Sequence, residues 1–191
     1  MNEGQIPGRR SIRLKGYDYS QGGGYFITIV TLWRECLFGK IVSGEMQVND
    51  LGRIVEECFQ AIPQHYSHAE IGPVVVMPNH MHGIVMIYTN LQGDASENHG
   101  TIPIVGARHA SPLLPRGTLP GSLGAIVGSF KSSVSRRAGR ELNSGNIWQR
   151  NYYEHILRDQ HDYERIANYI AANPTNWGID RVNPNQIQFP A

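Results

Sequence analysis

The segment PVVVMPNHMHGIVMIY, residues 73–88, constrains the fold more than any other part of the chain. It contains two apolar runs, at 74–77 and 80–88, that are separated only by a tight MPN connection. Apolar runs rich in β-branched residues form buried strands, and a short connection joins strands that are antiparallel neighbours. The sequence therefore predicts a pair of strands inside a sheet.

Further strands are predicted on either side of this pair. The run GYFITIVTL at 24–32 is β-branched and aromatic without a breaker, which is typical of a central strand. The stretch around Gly44 resembles a short hairpin, and IWQRNYYEHIL at 147–157 is interpreted as the last strand. Roughly four strands in all are expected for the main sheet.

Three helices are predicted from apolar spacing, at 51–62, at 122–139 and from Asp159 or Asp162 to about residue 172. Asn173 and Pro174 end the last one, because proline disfavours helical geometry in the residue before it. Strands and helices in this order predict an α+β fold, an antiparallel sheet with helices mainly on one face.

The 191 residues, 40% of them hydrophobic, are enough for one core. We expect a basic, flexible N-terminal arm at 1–24, a single domain at 25–180 and a C-terminal tail at 181–191. Within the domain, the Gly-, Pro- and Ser-rich stretch 89–120 is expected to be a long loop.

A net charge of +1 conceals an uneven distribution along the chain. Residues 104–158 carry eight Lys or Arg against two acids, whereas 41–103 carry one base against seven acids. A basic surface of this kind permits a nucleic-acid partner, although ordinary solvated charge would give the same count. The cations predicted to contact DNA are Lys131, Arg136, Arg137, Arg140 and Arg150.

Nothing in the sequence indicates a membrane or an oxidising compartment. No apolar run reaches the roughly 18 residues of a membrane span, and the first residues lack the apolar region of a secretory signal. Cys36 and Cys58 lie in apolar stretches and are expected to be small buried hydrophobic residues. We therefore expect a soluble, intracellular protein without a membrane partner.

Two histidines open the second strand of the pair. Alternate residues of a strand share a face, so His80 and His82 point the same way and Met81 points to the other side. Two imidazoles placed in this way can hold one cation. The alternative is a pair of hydrogen-bonded histidines near a turn, although a buried apolar strand has little other use for them.

The last helix carries a tyrosine away from its apolar stripe. Helical spacing places Tyr163 on the core-facing side, and places Tyr169 and Asn173 together on its flank. The core-facing stripe consists of Tyr163, Ile166, Ala167 and Ile170. Tyr169 is therefore the better placed tyrosine for chemistry at the edge of the sheet. Taken alone, a helical tyrosine is more often a packing residue.

Together these motifs resemble a known family. The strings MPNHMHGIV, IWQRNYYEHILRD and DYERIANYIAANPTNW occur in the order found in REP-associated tyrosine transposases, a branch of the HUH single-tyrosine transposases and nucleases. The resemblance covers most of the chain, from about residue 16 to Trp177, and implies a ferredoxin-like sheet. By this resemblance His80 and His82 match the paired metal ligands, Tyr169 the nucleophile and Asn173 the third metal-binding side chain.

The resemblance also implies a reaction. A Mg²⁺ or Mn²⁺ ion would polarise a phosphodiester of single-stranded or hairpin DNA, and Tyr169 would attack it to give a 5′-phosphotyrosine and a free 3′-hydroxyl. Such enzymes usually work as dimers, in which the tyrosine helix can serve the partner's histidine pair. A bacterial, cytoplasmic and nucleoid-associated protein is the corresponding expectation.

Two other functions stay open. One is a catalytically inactive DNA- or RNA-binding protein on the same fold. The other is a metal hydrolase that uses a histidine-bound water, although the sequence shows no carboxylate or further histidine beside the pair, as an HExxH motif would. Tyr152 and Tyr153 are expected on opposite faces of the last strand, one buried and one beside the DNA, with His155 on the face of Tyr153.

Overall fold

The computed structural model describes residues 22–88 and 119–184. Its strands are β1 (Gly23–Val30), β2 (Gly39–Val42), β3 (Glu45–Val48), β4 (Ala69–Met77), β5 (His80–Ile87) and β6 (Tyr153–Leu157). Its α-helices are α1 (Asp50–Gln60), α2 (Ile62–His65), α3 (Leu123–Leu142) and α4 (Gln160–Ala172). Short 3₁₀ turns lie at Leu32–Arg34 and Trp177–Ile179.

Four strands form one antiparallel sheet in the order β4-β5-β1-β6, and β2 pairs with β3 as a separate hairpin. Two connections run through helices: α1 lies between β1 and β4, and α3 lies between β5 and β6. This is the ferredoxin-like arrangement, so the predicted α+β fold is confirmed.

Each face of the sheet has its own apolar cluster. The larger cluster joins Tyr25, Ile27 and Ile29 of β1 to residues of α1 and α3. The smaller cluster joins Ile84 and Met86 of β5 to Leu157 of β6 and to Ile166 and Ile170 of α4. Because alternate strand residues point to opposite faces, α1 and α3 cover one face of the sheet and α4 covers the other.

Side chains cap the three long helices. The side chains of Asn49, Ser122 and Asp159 accept hydrogen bonds from backbone N–H groups in the first turns of α1, α3 and α4 respectively. These caps satisfy donors that have no partner within the helix. At the other end of α3, Asn143 adopts a left-handed conformation, which ends that helix three residues later than the sequence spacing predicted.

Strand boundaries differ from the prediction in two places. β4 begins at Ala69 rather than at residue 74, because a register shift between Ile71 and Val74 accommodates Pro73 within the strand. The last strand begins at Tyr153 rather than at residue 147; before it, only Trp148 makes an isolated bridge, with Thr31.

Three of the sequence predictions concern parts of the chain outside the described residues, wholly or largely: the basic arm at 1–24, the loop at 89–120 and the tail at 181–191. The prediction for Cys36 was wrong, because its side chain is exposed. Cys58 is partly buried and packs against the larger apolar cluster. Cys36 is exposed although its neighbours in sequence are apolar, because Cys36 follows the turn at Leu32–Arg34 and belongs to no strand or helix.

Candidate functional site

The site is built on the start of β5. His80 and His82 are both buried and lie on the face that α4 covers, together with Ile84 and Met86, whereas Met81 packs into the larger cluster on the other face. Strand alternation accounts for this arrangement. The two rings meet edge to face with centroids 4.5 Å apart.

Asn79 orients the first histidine. Its Nδ2 donates to the carbonyls of Arg34 and Val182, at 3.0 and 2.8 Å. Its Oδ1 lies 2.9 Å from Nδ1 of His80 and can only accept, so that ring nitrogen is the donor. In neutral His80 the lone pair is therefore on Nε2, which faces the site.

The second histidine faces the first. Nδ1 of His82 lies 2.8 Å from the hydroxyl of Thr28, and its Nε2 lies 3.0 Å from Nε2 of His80. Two nitrogen lone pairs repel at this distance unless a proton or a cation lies between them. Because the Thr28 hydroxyl can either donate or accept, His82 can carry its proton on Nε2 when the site is metal-free and on Nδ1 when Nε2 binds a cation.

Both imidazoles favour the neutral form. Burial lowers the pKa of His80 to about 3. Burial also lowers the pKa of His82 to about 3, with a further decrease from His80 that Asp180 partly opposes. Neutral imidazole is the form that binds metal ions, so the pair is available as ligands at physiological pH.

Tyr169 is the side chain of α4 that reaches the pair. Its hydroxyl lies 3.4 Å from Nε2 of His82, and its ring packs edge-on against His82 and Phe26. The side chain is 45% exposed, although Ile166 and Ile170 of the same helix are buried. A half-exposed tyrosine beside buried imidazoles is accessible to a substrate in a way that a packing tyrosine is not.

A carboxylate completes this cluster. Oδ2 of Asp180 lies 3.5 Å from Nε2 of His80, and the possible ligand atoms of His80, His82 and Asp180 all lie within 4.8 Å of one another. A small divalent ion binds imidazole nitrogen at about 2.1 Å, and two such ligands at right angles lie about 3.0 Å apart. The spacing of the two histidines and the nearby carboxylate therefore fit a metal ion.

Asn173 lies at the end of α4 and is buried. Its Oδ1 has no hydrogen-bond partner among the residues that the structure describes, although Asn173 lines the same cavity as His82 and Tyr169. A buried amide oxygen without a partner is costly, so this atom is suited to accept from a bound water or substrate, or to bind a cation.

A cavity of about 720 Å³ opens in front of these residues. Aromatic and amide side chains form part of its wall, and three arginines, Arg34, Arg165 and Arg181, line it as well. Among the described residues, the three arginines outnumber the one carboxylate of the wall, Asp180, although Arg165 also pairs with Asp162. This excess of positive charge is suited to an anionic substrate.

Comparison with known proteins places the chain among bacterial relatives. No family model matches the sequence. An uncharacterised protein of Haemophilus influenzae is 42% identical over 174 residues, which cover 91% of this chain and 92% of that protein. The chain belongs to the same family as this protein.

More distant similarity points to transposases. A candidate REP-associated tyrosine transposase of Haemophilus influenzae is 22% identical over 165 residues, covering 86% of this chain and 77% of that protein. The solved structure of a REP-associated tyrosine transposase bound to a REP hairpin has a TM-score of 0.54 and 20% identity, covering 86% of this chain and 74% of that one. The family therefore shares its fold with a transposase.

The cations predicted from the sequence are dispersed in this fold. Lys131 donates to the carbonyls of Gln149 and Asn151, and burial lowers its pKa to about 8. Arg137 pairs with Glu57 and Glu141.

All the predicted cations on α3 belong to a helix that covers the face of the sheet opposite the histidines. Arg140 pairs with Glu141 there, and Arg136 lies 3.4 Å from the hydroxyl of Ser133. Arg150 is exposed and follows Gln149, which lines the cavity. Of the predicted cations, Arg150 therefore adjoins a residue that lines the cavity, whereas Lys131 meets the same segment only through its hydrogen bonds to the carbonyls of Gln149 and Asn151.

The sequence analysis missed Asp180 and the three arginines of the cavity wall. They come from separate places in the chain, and only Arg165 lies in a predicted helix. The segment that follows Pro174 has neither helical nor strand periodicity, so the sequence does not predict where the side chain of Asp180 points. The argument that no carboxylate accompanies the histidines was therefore wrong, because Asp180 reaches them from 100 residues further along the chain.

Residues of β6 contribute to the edge of the site. Tyr152 is buried and Tyr153 is 53% exposed and lines the cavity, which confirms that the two tyrosines separate. Nε2 of His155 lies 2.8 Å from Asp162 at the start of α4. His155 therefore links β6 to the helix that carries Tyr169.

Among the helices of the described ranges, 22–88 and 119–184, none combines the length and the apolar character that a bilayer span requires.

Proposed function

We propose that this protein is a REP-associated tyrosine transposase that cleaves and rejoins single-stranded DNA through a covalent tyrosine link. The observation that carries the proposal is that the Tyr169 hydroxyl lies 3.4 Å from Nε2 of His82. That nitrogen in turn lies 3.0 Å from Nε2 of His80. The hydroxyl opens to a cavity large enough to admit a nucleotide. The hairpin-bound transposase of similar fold supports the same class of substrate.

The proposed reaction is a transesterification. The oxygen of Tyr169 attacks phosphorus, the bond from phosphorus to the 3′-oxygen breaks, and the DNA is left with a free 3′-hydroxyl and a 5′-phosphotyrosine. The proton lost by the phenol is balanced by the proton gained at the departing 3′-oxygen. Because a phosphodiester is kept, a 3′-hydroxyl can attack the phosphotyrosine and rejoin the strand.

The buried histidines would hold Mg²⁺ or Mn²⁺ through their Nε2 atoms, with Asn173 as a further oxygen donor. When bound, such an ion offsets the negative charge that develops on the phosphate oxygens. Asn79 and Thr28 keep the two rings in position through hydrogen bonds to Nδ1. Ordered ligands of this kind raise metal affinity because little reorganisation is needed on binding.

Tyr169 is expected to act within its own chain. Its hydroxyl and His82 of the same chain are already within 3.4 Å, so no partner helix is needed to complete the pair. A dimer, which the resemblance implies, would then bring two complete sites together rather than exchange tyrosines.

The cavity arginines are the proposed contacts to the DNA backbone near the cleaved bond. Arg34, Arg165 and Arg181 approach it from three different segments. Tyr153 offers an exposed ring for base stacking on the same wall. We propose that Arg150 extends this surface, and that Lys131, Arg136, Arg137 and Arg140 act at most on DNA that wraps to the other face.

A second function has a specific observation in its favour. Asp180 beside the two histidines makes a ligand set that a metal-bound water hydrolase could use, with Tyr169 as a bystander. Such an enzyme would cleave phosphodiesters without a covalent intermediate. The two functions therefore differ in one product, the protein–DNA adduct.

The test is an adduct assay on a denaturing gel. Labelled single-stranded hairpin DNA, as a pool of candidate sequences, is incubated with the protein and Mn²⁺. We expect a covalent adduct that disappears in Tyr169→Phe and in His82→Ala. Tyr163→Phe is the matched control, because Tyr163 lies on the same helix but packs in the smaller apolar cluster, and it should retain the adduct.

Other outcomes assign the function differently. An adduct that survives in Tyr169→Phe would move the nucleophile elsewhere. Cleavage without an adduct in the unaltered protein would favour the metal-water hydrolase. Tight binding without cleavage, from a pool that contains the right site, would favour an inactive DNA-binding protein.

A further inference from the structure

Asp180 occupies a position that the proposed cleavage mechanism does not by itself require. It lies in the segment after α4, just beyond the turn at Trp177–Ile179, and its side chain is only 7% exposed. Its Oδ1 accepts a hydrogen bond of 2.7 Å from the backbone N–H of Val182. Because one oxygen is held by the backbone, the other, Oδ2, is directed at His80.

The segment that carries Asp180 is fastened to the histidine strand. Asn79 donates to the carbonyl of Val182, and Arg34 donates through Nη1 to the carbonyl of Arg181. Asn79 is also the residue that accepts from Nδ1 of His80. One amide side chain therefore sets the position of both His80 and the backbone next to Asp180.

The ring of Trp177 strengthens the same attachment. It stacks on His80 with the ring centroids 6.1 Å apart and the planes 30° from parallel. The carboxylate is thus carried on a segment that contacts His80 by stacking and Asn79, the residue just before β5, by a hydrogen bond. Little rearrangement of this segment is needed for Oδ2 to approach a cation at the histidines.

The charge of Asp180 lacks compensation by a neighbouring cationic side chain. Within residues 22–88 and 119–184, the only basic side chain in ion-pair range of its carboxylate is His80, which belongs to the histidine pair. A carboxylate buried against two imidazoles whose facing nitrogens are 3.0 Å apart is stabilised when a cation lies between the three groups. A divalent ion satisfies the charge and the facing nitrogen lone pairs at once.

We propose that Asp180, in place of Asn173, is the third protein ligand of the metal, so that the site is His80, His82 and Asp180. This deepens the proposed function and rests on its metal dependence. A carboxylate oxygen is a stronger ligand for a hard ion such as Mg²⁺ or Mn²⁺ than the amide of Asn173. The buried, unpartnered Oδ1 of Asn173 is then left for a water molecule on the ion or for the DNA.

The experiment measures Mn²⁺ binding to the full chain by isothermal titration calorimetry, without DNA. Asp180→Asn keeps the shape of the side chain and the acceptor for Val182, and removes only the charge. We expect Mn²⁺ affinity to fall by at least about tenfold, since even residues that merely support ligands contribute that much. Asp50→Asn is the control: it removes the same charge from an exposed position on α1 and should bind as the unaltered protein does.

Thermal unfolding provides a readout that does not depend on catalysis. Without metal, Asp180→Asn should be as stable as the unaltered protein or more so, because a buried charge is removed. Added Mn²⁺ should raise the unfolding temperature of the unaltered protein and of Asp50→Asn much more than that of Asp180→Asn. An equal rise in all three would overturn the inference.

The outcomes separate this inference from the function on which it rests. Normal Mn²⁺ affinity in Asp180→Asn, with weakened binding in His80→Ala, would refute Asp180 as a ligand and leave the histidine site in place. Absence of Mn²⁺ binding by the unaltered protein would refute both the ligand and the metal-dependent mechanism. Weaker binding in Asn173→Ala than in Asp180→Asn would likewise overturn the assignment and return the third place to Asn173.

Discussion

At the scale of single residues, the protonation of the histidine pair affects both metal binding and the stability of the fold. Burial that keeps His80 and His82 neutral also prevents the folded protein from taking up protons that the unfolded chain accepts. A bound cation would add to the stability of the folded state, but it would not let the imidazoles take up protons. The metal-free protein should therefore be sensitive to acid in a range where carboxylates are still ionised.

The pH dependence has a definite sign. The folded-state pKa of about 3 lies below the ordinary histidine value of about 6.5. Below pH 6.5 the unfolded state binds more protons, so the free energy of unfolding should fall as the pH decreases toward 3. Each histidine contributes about 1.4 kcal/mol per pH unit within that range.

Urea unfolding in EDTA at a series of pH values measures this effect. His82→Ala should show a shallower loss of stability between pH 6 and 4 than the unaltered protein, because one linked proton is removed. His161→Ala is a suitable control, since that histidine is exposed at the start of α4. Equal slopes in the unaltered protein and His82→Ala would contradict the assigned cause.

At the scale of elements, the close approach of α1 to β5 depends on the residue after the histidine pair. A Cβ on Gly83 would lie 2.6 Å from Cζ of Phe59. Phe59 is fully buried and packs edge-on against Phe130 of α3, so its ring has no free space to move into. Gly83 therefore sets how closely the helices cover the sheet behind the histidines.

Gly83→Ala should destabilise the protein by about 1–3 kcal/mol through overpacking. Gly128→Ala is the matched control, because a Cβ on Gly128 of α3 meets nothing within 4 Å. That change should stabilise the protein by about 0.5–1 kcal/mol, since glycine is unfavourable inside a helix. Chemical unfolding measures the free energy of unfolding of both variants. A change of the same sign in both would show that the space between Gly83 and Phe59 can accommodate a methyl group.

The elements also show what the sequence could predict. Strand alternation gave the common direction of His80 and His82, and helical spacing separated Tyr169 from the buried stripe, because both periods depend only on local geometry. The same periodicity showed that α3 has a basic end but not which face of the sheet it covers. Asp180 follows Pro174 in a stretch without either period, so its place beside His80 depends on tertiary contacts that no local pattern encodes.

At the scale of the whole molecule, the chain supplies both halves of the proposed reaction. The hydroxyl of Tyr169 and Nε2 of His82 approach each other across 87 residues of sequence, within a single copy. Complementation between two defective variants tests whether this contact is the one used. Tyr169→Phe mixed with His82→Ala should form no DNA adduct, because each chain lacks one half of its own site.

Dilution of the unaltered protein provides the companion measurement. The adduct yield per chain should stay constant as the protein concentration falls, and mixing with Tyr169→Phe should reduce it only in proportion to the active fraction. Recovery of the adduct in the mixture of the two defective variants would instead show that tyrosines are exchanged between partners.

The distance in sequence between the histidines and the tyrosine has a consequence for synthesis. A chain emerging from the ribosome completes β5 long before α4 exists, so the nascent protein carries its histidine pair without the tyrosine. β1 and β5 can pair at that stage, but the hydroxyl arrives only after β6 has joined the sheet and α4 has docked on it. Under the proposed mechanism, a polypeptide whose translation stops before residue 169 lacks the nucleophile and could not attach itself to DNA, so the capacity to cut a strand would require that α4 has been made.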